Sequence, residues 1–268
     1  QGRTEEMIAA LQSLAAGPGA PEGDGTGGGE ASGATDGGAV ADLVQGYVAA
    51  GDLAGARTYL DALLAREPGN LSARLTLAGL DQMEGRGAAA EAGFRAVIAA
   101  APALPQARQA LVAFLADQGR TAEAEAALDE GLAAAPDSAT LLFTKAGLLE
   151  GKGDAAGAIA IYETLYARDN ASLVLANNLA SLLASYRDDP ASLERAFAIA
   201  RRLRGSDVPY FQDTYGWILH RRGDEQEALR YLGPAAAALP DNALAQFHLA
   251  ETERALGQRA AAGESYGR

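Results

Sequence analysis

The sequence predicts an all-α protein, a solenoid of antiparallel helix pairs, on three observations. Pro68, Pro102 and Pro136 stand 34 residues apart, and the pairs Gly85 and Gly119, Ala90 and Ala124, and Phe94 and Leu128 repeat at the same interval. A fixed period of that length marks stacked repeats rather than one closed core. The chain is rich in Ala and Leu, poor in aromatic and β-branched residues, and shows no strand-like alternation, so helix is expected throughout.

Taken in order, residues 1–16 read as a lone second helix of a repeat, with Leu11 and Leu14 facing inward. Residues 17–36 are Gly-rich and almost without apolar side chains, so no buried surface offsets their ordering entropy and a flexible linker is expected. The array then runs as 37–70, 71–104, 105–138, 139–172, 173–208, 209–242 and a partial copy over 243–268. The fifth unit is irregular: Tyr186 to Pro190 expands its turn, and Pro190 is expected to open the second helix at its first turn. Starting at Gln1 and stopping partway through a copy, the chain is expected to be a piece of a longer array.

Each offset has a physical reason. Ala78, Ala146, Ala180, Gly216 and Ala250 are expected where the first helix of a pair (helix A) crosses the second (helix B), facing Ala56, Ala90, Ala124, Ala158, Ala228 and Ala262. Gly51, Gly85, Gly119, Gly153, Gly223 and Gly257 are expected to end helix A in a left-handed cap, and the Pro before each new unit to stop helix B. Large residues, Leu60, Phe94, Leu128, Tyr162, Leu232 and Tyr266, fill a common packing slot.

This pattern resembles the tetratricopeptide repeat family, whose unit runs W-x2-L-G-x2-Y, then A-x3-F, then P. The resemblance covers nearly the whole chain and implies a right-handed superhelix without enzymatic activity. It departs at the first aromatic position, held here by Val40, Arg74, Arg108, Leu142, Ala176, Gln212 and Gln246. The resemblance also implies that positions 2, 5, 9, 12 and 13 of each helix A line a concave groove. Those positions present Gln45, Gln82, Met83, Gln106 and Gln109, then Phe143 and Glu150. Toward the C-terminus they present Asn177, Ser181, Tyr210, Asp213, Trp217, His220, Arg221, Phe247 and Glu251. Aromatic rings supply contact area and amides hydrogen-bond a backbone in either direction, so this stretch is the expected site for a protein or peptide segment. Asn177 reads as a ligand contact or, equally, as a solvated neighbour of an Asn that bonds the next helix. Trp217 reads as a binding anchor or as a packed residue between repeats.

Arg195, Arg201, Arg202 and Arg204, followed by Arg221 and Arg222, form a second, basic surface. It reads as a dock for an acidic segment, or as a solvated face balanced by Asp188, Asp189, Asp207 and Asp224. The rest of the chain is acidic: residues 1–190 hold 12 Lys and Arg against 25 Asp and Glu, whereas residues 191–268 hold 10 of each. An acidic surface repels phosphate, which argues against nucleic acid and lipid headgroups and favours a basic or polar protein partner.

Other chemistry is poorly supported. There is no Cys, so disulfides and thiolate metal sites are excluded. No apolar run reaches membrane-spanning length, so direct membrane insertion is not expected. Gly263-Glu264-Ser265-Tyr266-Gly267 fits the nucleophile-elbow letters, but it falls in a predicted helix with no His after it. His220 and His248 lack a convincing third zinc ligand, with Glu251 a weak candidate. The stretch near Gly27 lacks the Lys of a phosphate loop, so no cofactor is implied. The Lys and Asn pairing of a co-chaperone carboxylate clamp is missing, since Lys145 and Lys152 are the only lysines.

Asn-Asn-Leu-Ala-Ser-Leu-Leu at 177–183 and Asp-Thr-Tyr-Gly-Trp-Ile-Leu at 213–219 are also similar to repeat arrays of bacterial envelope and exopolysaccharide-export systems. That implies a scaffold of a bacterial multiprotein assembly, periplasmic or envelope-associated rather than cytoplasmic. The alternative is a structural spacer or oligomerisation solenoid with no groove ligand. Partner and oligomeric state are left open by the sequence.

Overall fold

The computed structural model describes residues 37–267. The helix expected over 1–16 and the linker over 17–36 lie outside the described residues. Among those described there are helices and turns but no strand, and the fold is an all-α solenoid of consecutive helix pairs. Two compact units meet at residues 141 and 142.

The first unit contains α1 (Gly37–Ala49), α2 (Leu53–Arg66), α3 (Leu71–Met83), α4 (Gly87–Ala100), α5 (Pro105–Asp117) and α6 (Thr121–Ala134). Each helix packs on the next, and α1, α3 and α5 also touch in succession. The second unit holds α7 (Ala139–Gly151, which begins just before it), α8 (Ala155–Arg168), α9 (Leu173–Tyr186) and α10 (Pro190–Ala200), a 3-10 turn (Arg201–Leu203), then α11 (Pro209–Arg221), α12 (Glu225–Ala238), α13 (Ala243–Ala255) and α14 (Arg259–Tyr266). Here α9, α11 and α13 touch in succession, with α10, α12 and α14 as their partners.

The turns follow from local chemistry. Gly51, Gly85, Gly119, Gly153, Gly223 and Gly257 all have φ between +72° and +85°, the left-handed region that a Cβ disfavours. Beyond each, an N–H returns to a carbonyl five residues back, as from Arg86 to Asp81 at 2.8 Å and from Asp224 to Leu219 at 2.9 Å. Asp52, Asn70, Asp154, Ser172, Asp189 and Asn242 accept N–H bonds at the starts of their helices.

Close crossings need small residues. A Cβ on Gly216 would lie 2.7 Å from Leu232 Cγ, and one on Gly93 would lie 2.7 Å from the Cβ of Ala78. The alanines expected at these crossings are buried. The fifth repeat departs as Pro190 implies: Asp189 caps, Pro190 begins α10, and the helix ends early in the 3-10 turn and in Gly205 at φ +81°. Pro234 lies exposed inside α12, where its missing N–H faces solvent. One expectation is corrected. Tyr266 does not fill the packing slot: it is 48 % exposed, because no described helix follows α14 to cover it.

Candidate functional site

The sequence-predicted residues in the second unit lie on α9, α11 and α13. On α9, Asn178 points back to α8 and donates from Nδ2 to the Tyr162 hydroxyl at 3.1 Å. That hydroxyl donates to Glu150 Oε1 at 2.7 Å. Burial, and then the bond to Glu150, raises the Tyr162 pKa well above 10.0. Asn177 Nδ2 donates to Asn178 Oδ1 at 3.2 Å, while Asn177 Oδ1 is buried without a partner. A chain of bonds therefore runs Asn177, Asn178, Tyr162, Glu150 and fixes the plane of the Asn177 amide. Ser181, one turn on, is half-buried.

On α11, Trp217 is the hub. Its indole stacks on His248 at 4.2 Å between centroids and 14° between planes, and on His220 at 4.8 Å and 20°. Phe247 approaches it at 6.1 Å. Both imidazoles are anchored by carboxylates: His248 Nδ1 lies 3.0 Å from each oxygen of Asp213, and His220 Nδ1 lies 2.6 Å from Glu225 Oε2. A carboxylate only accepts, so each Nδ1 carries the proton. Trp217 Nε1 is buried with no acceptor.

The outer members are more open. Tyr210 is 56 % and Phe247 44 % exposed. Glu251 accepts from Arg254 at 2.6 Å and from the Tyr266 hydroxyl. These bonds, Arg254 first, hold its carboxyl below the usual range. Arg221 donates to the Ala184 carbonyl and lies 3.4 Å from Asp188, so it ties α11 to the end of α9.

The structure thus joins Trp217, His220, Phe247 and Asp213 in one ring cluster and places Asn177 and Ser181 on the adjoining helix. Asp213 is buried, and it serves the site by holding His248. Sequence reasoning missed His248 and Glu225 as members. The signal was present in the 35-residue step from Asp213 to His248, one repeat period plus one.

The basic surface is largely engaged within the chain. Arg195 meets Glu163 at 2.5 Å, and Arg202 donates to the Ala171 carbonyl at 3.2 Å. A bond that Arg204 donates to the Tyr231 hydroxyl oxygen raises the pKa of Arg204. Arg222 meets Glu194 at 2.5 Å and lies 3.8 Å over the Phe197 ring. Ser265 is buried in α14, donating to Glu253 Oε2 at 2.9 Å, and so lies inside a helix and not on the strand-to-helix turn that the elbow letters require. No group of three or more metal-ligating side chains occurs among the described residues. No described helix is long and apolar enough to cross a membrane.

Family models for tetratricopeptide repeats match residues 47–103 and residues 105–148. Residues 47–148 therefore carry tetratricopeptide repeats. Its fold is similar to that of a tetratricopeptide repeat protein from Parabacteroides merdae, at 15% identity and TM-score 0.57, over 94% of this chain and 93% of that one. It is also similar to pilF of Pseudomonas aeruginosa, at 19% identity and TM-score 0.60, over 78% of this chain and 95% of that one. At these identities the likeness is one of fold. No curated protein matches by sequence. The family matches end at residues 103 and 148, short of the ring cluster.

Proposed function

We propose that this repeat scaffold binds a segment of another protein across α9, α11 and α13, and so helps to organise a bacterial multiprotein assembly. The observation that carries the reading is the ring cluster. Phe247 stands exposed beside an indole whose imidazole neighbours are fixed by Asp213 and Glu225, and Tyr210 stands exposed at the start of the same helix as that indole. Large rings that keep half their surface in water supply contact area at little ordering cost, and Trp and Tyr dominate binding energetics elsewhere. Asn177, Ser181, Arg221 and Glu251 add donors and acceptors for a peptide backbone.

The test is affinity capture from a lysate of the source cells, with the intact chain beside an Asn177→Ala, Phe247→Ala variant shown by circular dichroism to stay helical. A partner held by the first and lost by the second is the expected result. Identical captures would overturn the reading. A chain that captures nothing would leave the spacer role as the better account.

A further inference from the structure

Between the start of α11 and the α12–α13 turn, Tyr210, Ala238, Leu239, Pro240, Asp241 and Asn242 line a shallow recess of about 330 Å³. Its wall is the Tyr210 ring, its floor is the end of α12, and its rim carries the Asp241 carboxylate. Asp241 is exposed, and no side chain among the described residues pairs with it. We propose that this recess takes a cationic side chain, arginine or lysine, from the bound segment. The inference rests on the reading above and names the chemistry of the partner.

Four features favour a cation. An apolar floor suits the alkyl stem of Arg or Lys, and an exposed tyrosine face attracts the charged head. The carboxylate on the rim adds a direct counter-charge. The last turn of α12 presents its carbonyl end to the recess, and that end favours positive charge. The opposing N-terminus of α13 is muted, because Asn242 Oδ1 accepts the N–H groups of Leu244 and Ala245 at 3.1 and 3.0 Å.

The net charge of −13 draws basic segments toward the protein from a distance.

The test is a titration of the intact, nitrogen-15-labelled chain with N-acetyl-arginine N-methylamide and with its neutral isostere, N-acetyl-citrulline N-methylamide. The arginine compound is expected to shift the backbone amides of Tyr210, Asp241 and Asn242, and the citrulline compound to shift them far less. Asp241→Asn, an exposed change that leaves the helices intact, is expected to weaken the arginine titration by up to about fivefold. Equal responses to the two compounds, no response at those amides, or an unchanged titration in Asp241→Asn would each overturn the inference. None of these outcomes depends on the capture experiment, so this recess and the wider binding face fail or stand separately.

Discussion

In residues 37–141 the seams between repeats are held mainly by arginine on carboxylate, whereas in residues 142–268 ring stacks and amides join ion pairs such as Arg195 with Glu163 and Arg222 with Glu194. Arg57 on α2 reaches Asp81 at 2.5 Å and Glu84 at 2.7 Å, and Arg120 reaches Glu91 at 2.6 Å. Arg108, buried at the first aromatic position, donates to the Ala127 carbonyl at 2.9 Å. In the second unit Phe197 meets Tyr215 at 6.3 Å and Trp217 meets His248 at 4.2 Å across successive repeats, while Phe143 meets Tyr162 at 5.6 Å and Tyr215 meets Tyr231 at 4.8 Å within one. The consequence is at the surface. Among the described residues, Met83 is the large apolar residue exposed in the first unit, while Tyr210, Leu244, Phe247 and others are exposed in the second. One backbone repeat accepts either kind of seam, but charged seams consume their polar groups internally, whereas ring seams leave ring edges for a partner.

The sharpest way to break this comparison is to empty one packing slot in the first unit. Phe94→Ala removes a fully buried ring that also packs on Phe114 at 6.1 Å, at a cost of about 3–5 kcal/mol. Trp217, the only tryptophan, lies in the second unit, so its fluorescence follows that unit while circular dichroism follows both. In urea the variant should lose helix earlier by circular dichroism with the Trp217 transition unmoved, as nearest-neighbour stability in a repeat array predicts. A Trp217 midpoint that falls in step would show one cooperative unit. The reciprocal change is Gly216→Val, whose branches would press on Leu232 and on the Ala228 carbonyl. It should cost about 1–3 kcal/mol and move the fluorescence transition instead.

Opposite ends of the pH scale should separate the two kinds of seam. Arg120, and then Arg95, pulls the Glu91 pKa from 4.5 to about 2. A carboxyl with a depressed folded pKa stabilises above its unfolded value, and that contribution is lost as pH falls from 4.5 toward 2. The Tyr162 hydroxyl is shifted the other way, above 10.0. Its folded state holds the proton more tightly, so its contribution is intact below 10.0 and is lost as pH rises through the higher folded value. Urea midpoints measured against pH should show an acid limb, in circular dichroism, that shrinks in Glu91→Gln. They should show an alkaline limb, in Trp217 fluorescence, that shrinks in Tyr162→Phe. Identical limbs in each variant and its parent would mean that neither seam carries its unit.

The order of helices was legible because Gly, Ala and Pro at fixed offsets each do a local job that one residue type does best. Gly205 and the 3-10 turn were not, since they follow from how Pro190 shortens α10 and not from any repeated offset. Positional reasoning also placed Asp213 on the binding face, where it lies buried under His248. A repeat position fixes the direction of a Cα–Cβ bond, but burial depends on what the next repeat supplies, here a histidine. The same holds for Arg108, which survives at a position that usually takes an aromatic ring because the Ala127 carbonyl lies within reach. Tyr266 shows the converse: it has the right residue for the slot, and no described helix closes over it.

Asn177→Ala carries the smallest expected effect on stability and the clearest separation of folding from binding. The side chain makes a 3.2 Å bond to Asn178 Oδ1 and buries its own Oδ1 with no partner. Losing one modest bond while removing an unsatisfied acceptor should leave stability within about 0.5 kcal/mol. The bonds from Asn178 to Tyr162 and from Tyr162 to Glu150 remain, so the seam itself stays intact. If Asn177 is kept for a ligand backbone, the same variant weakens capture of the partner at unchanged urea midpoint. A midpoint that falls by several times that amount would place Asn177 among the residues that hold α9 against α8, and would remove it from the binding face.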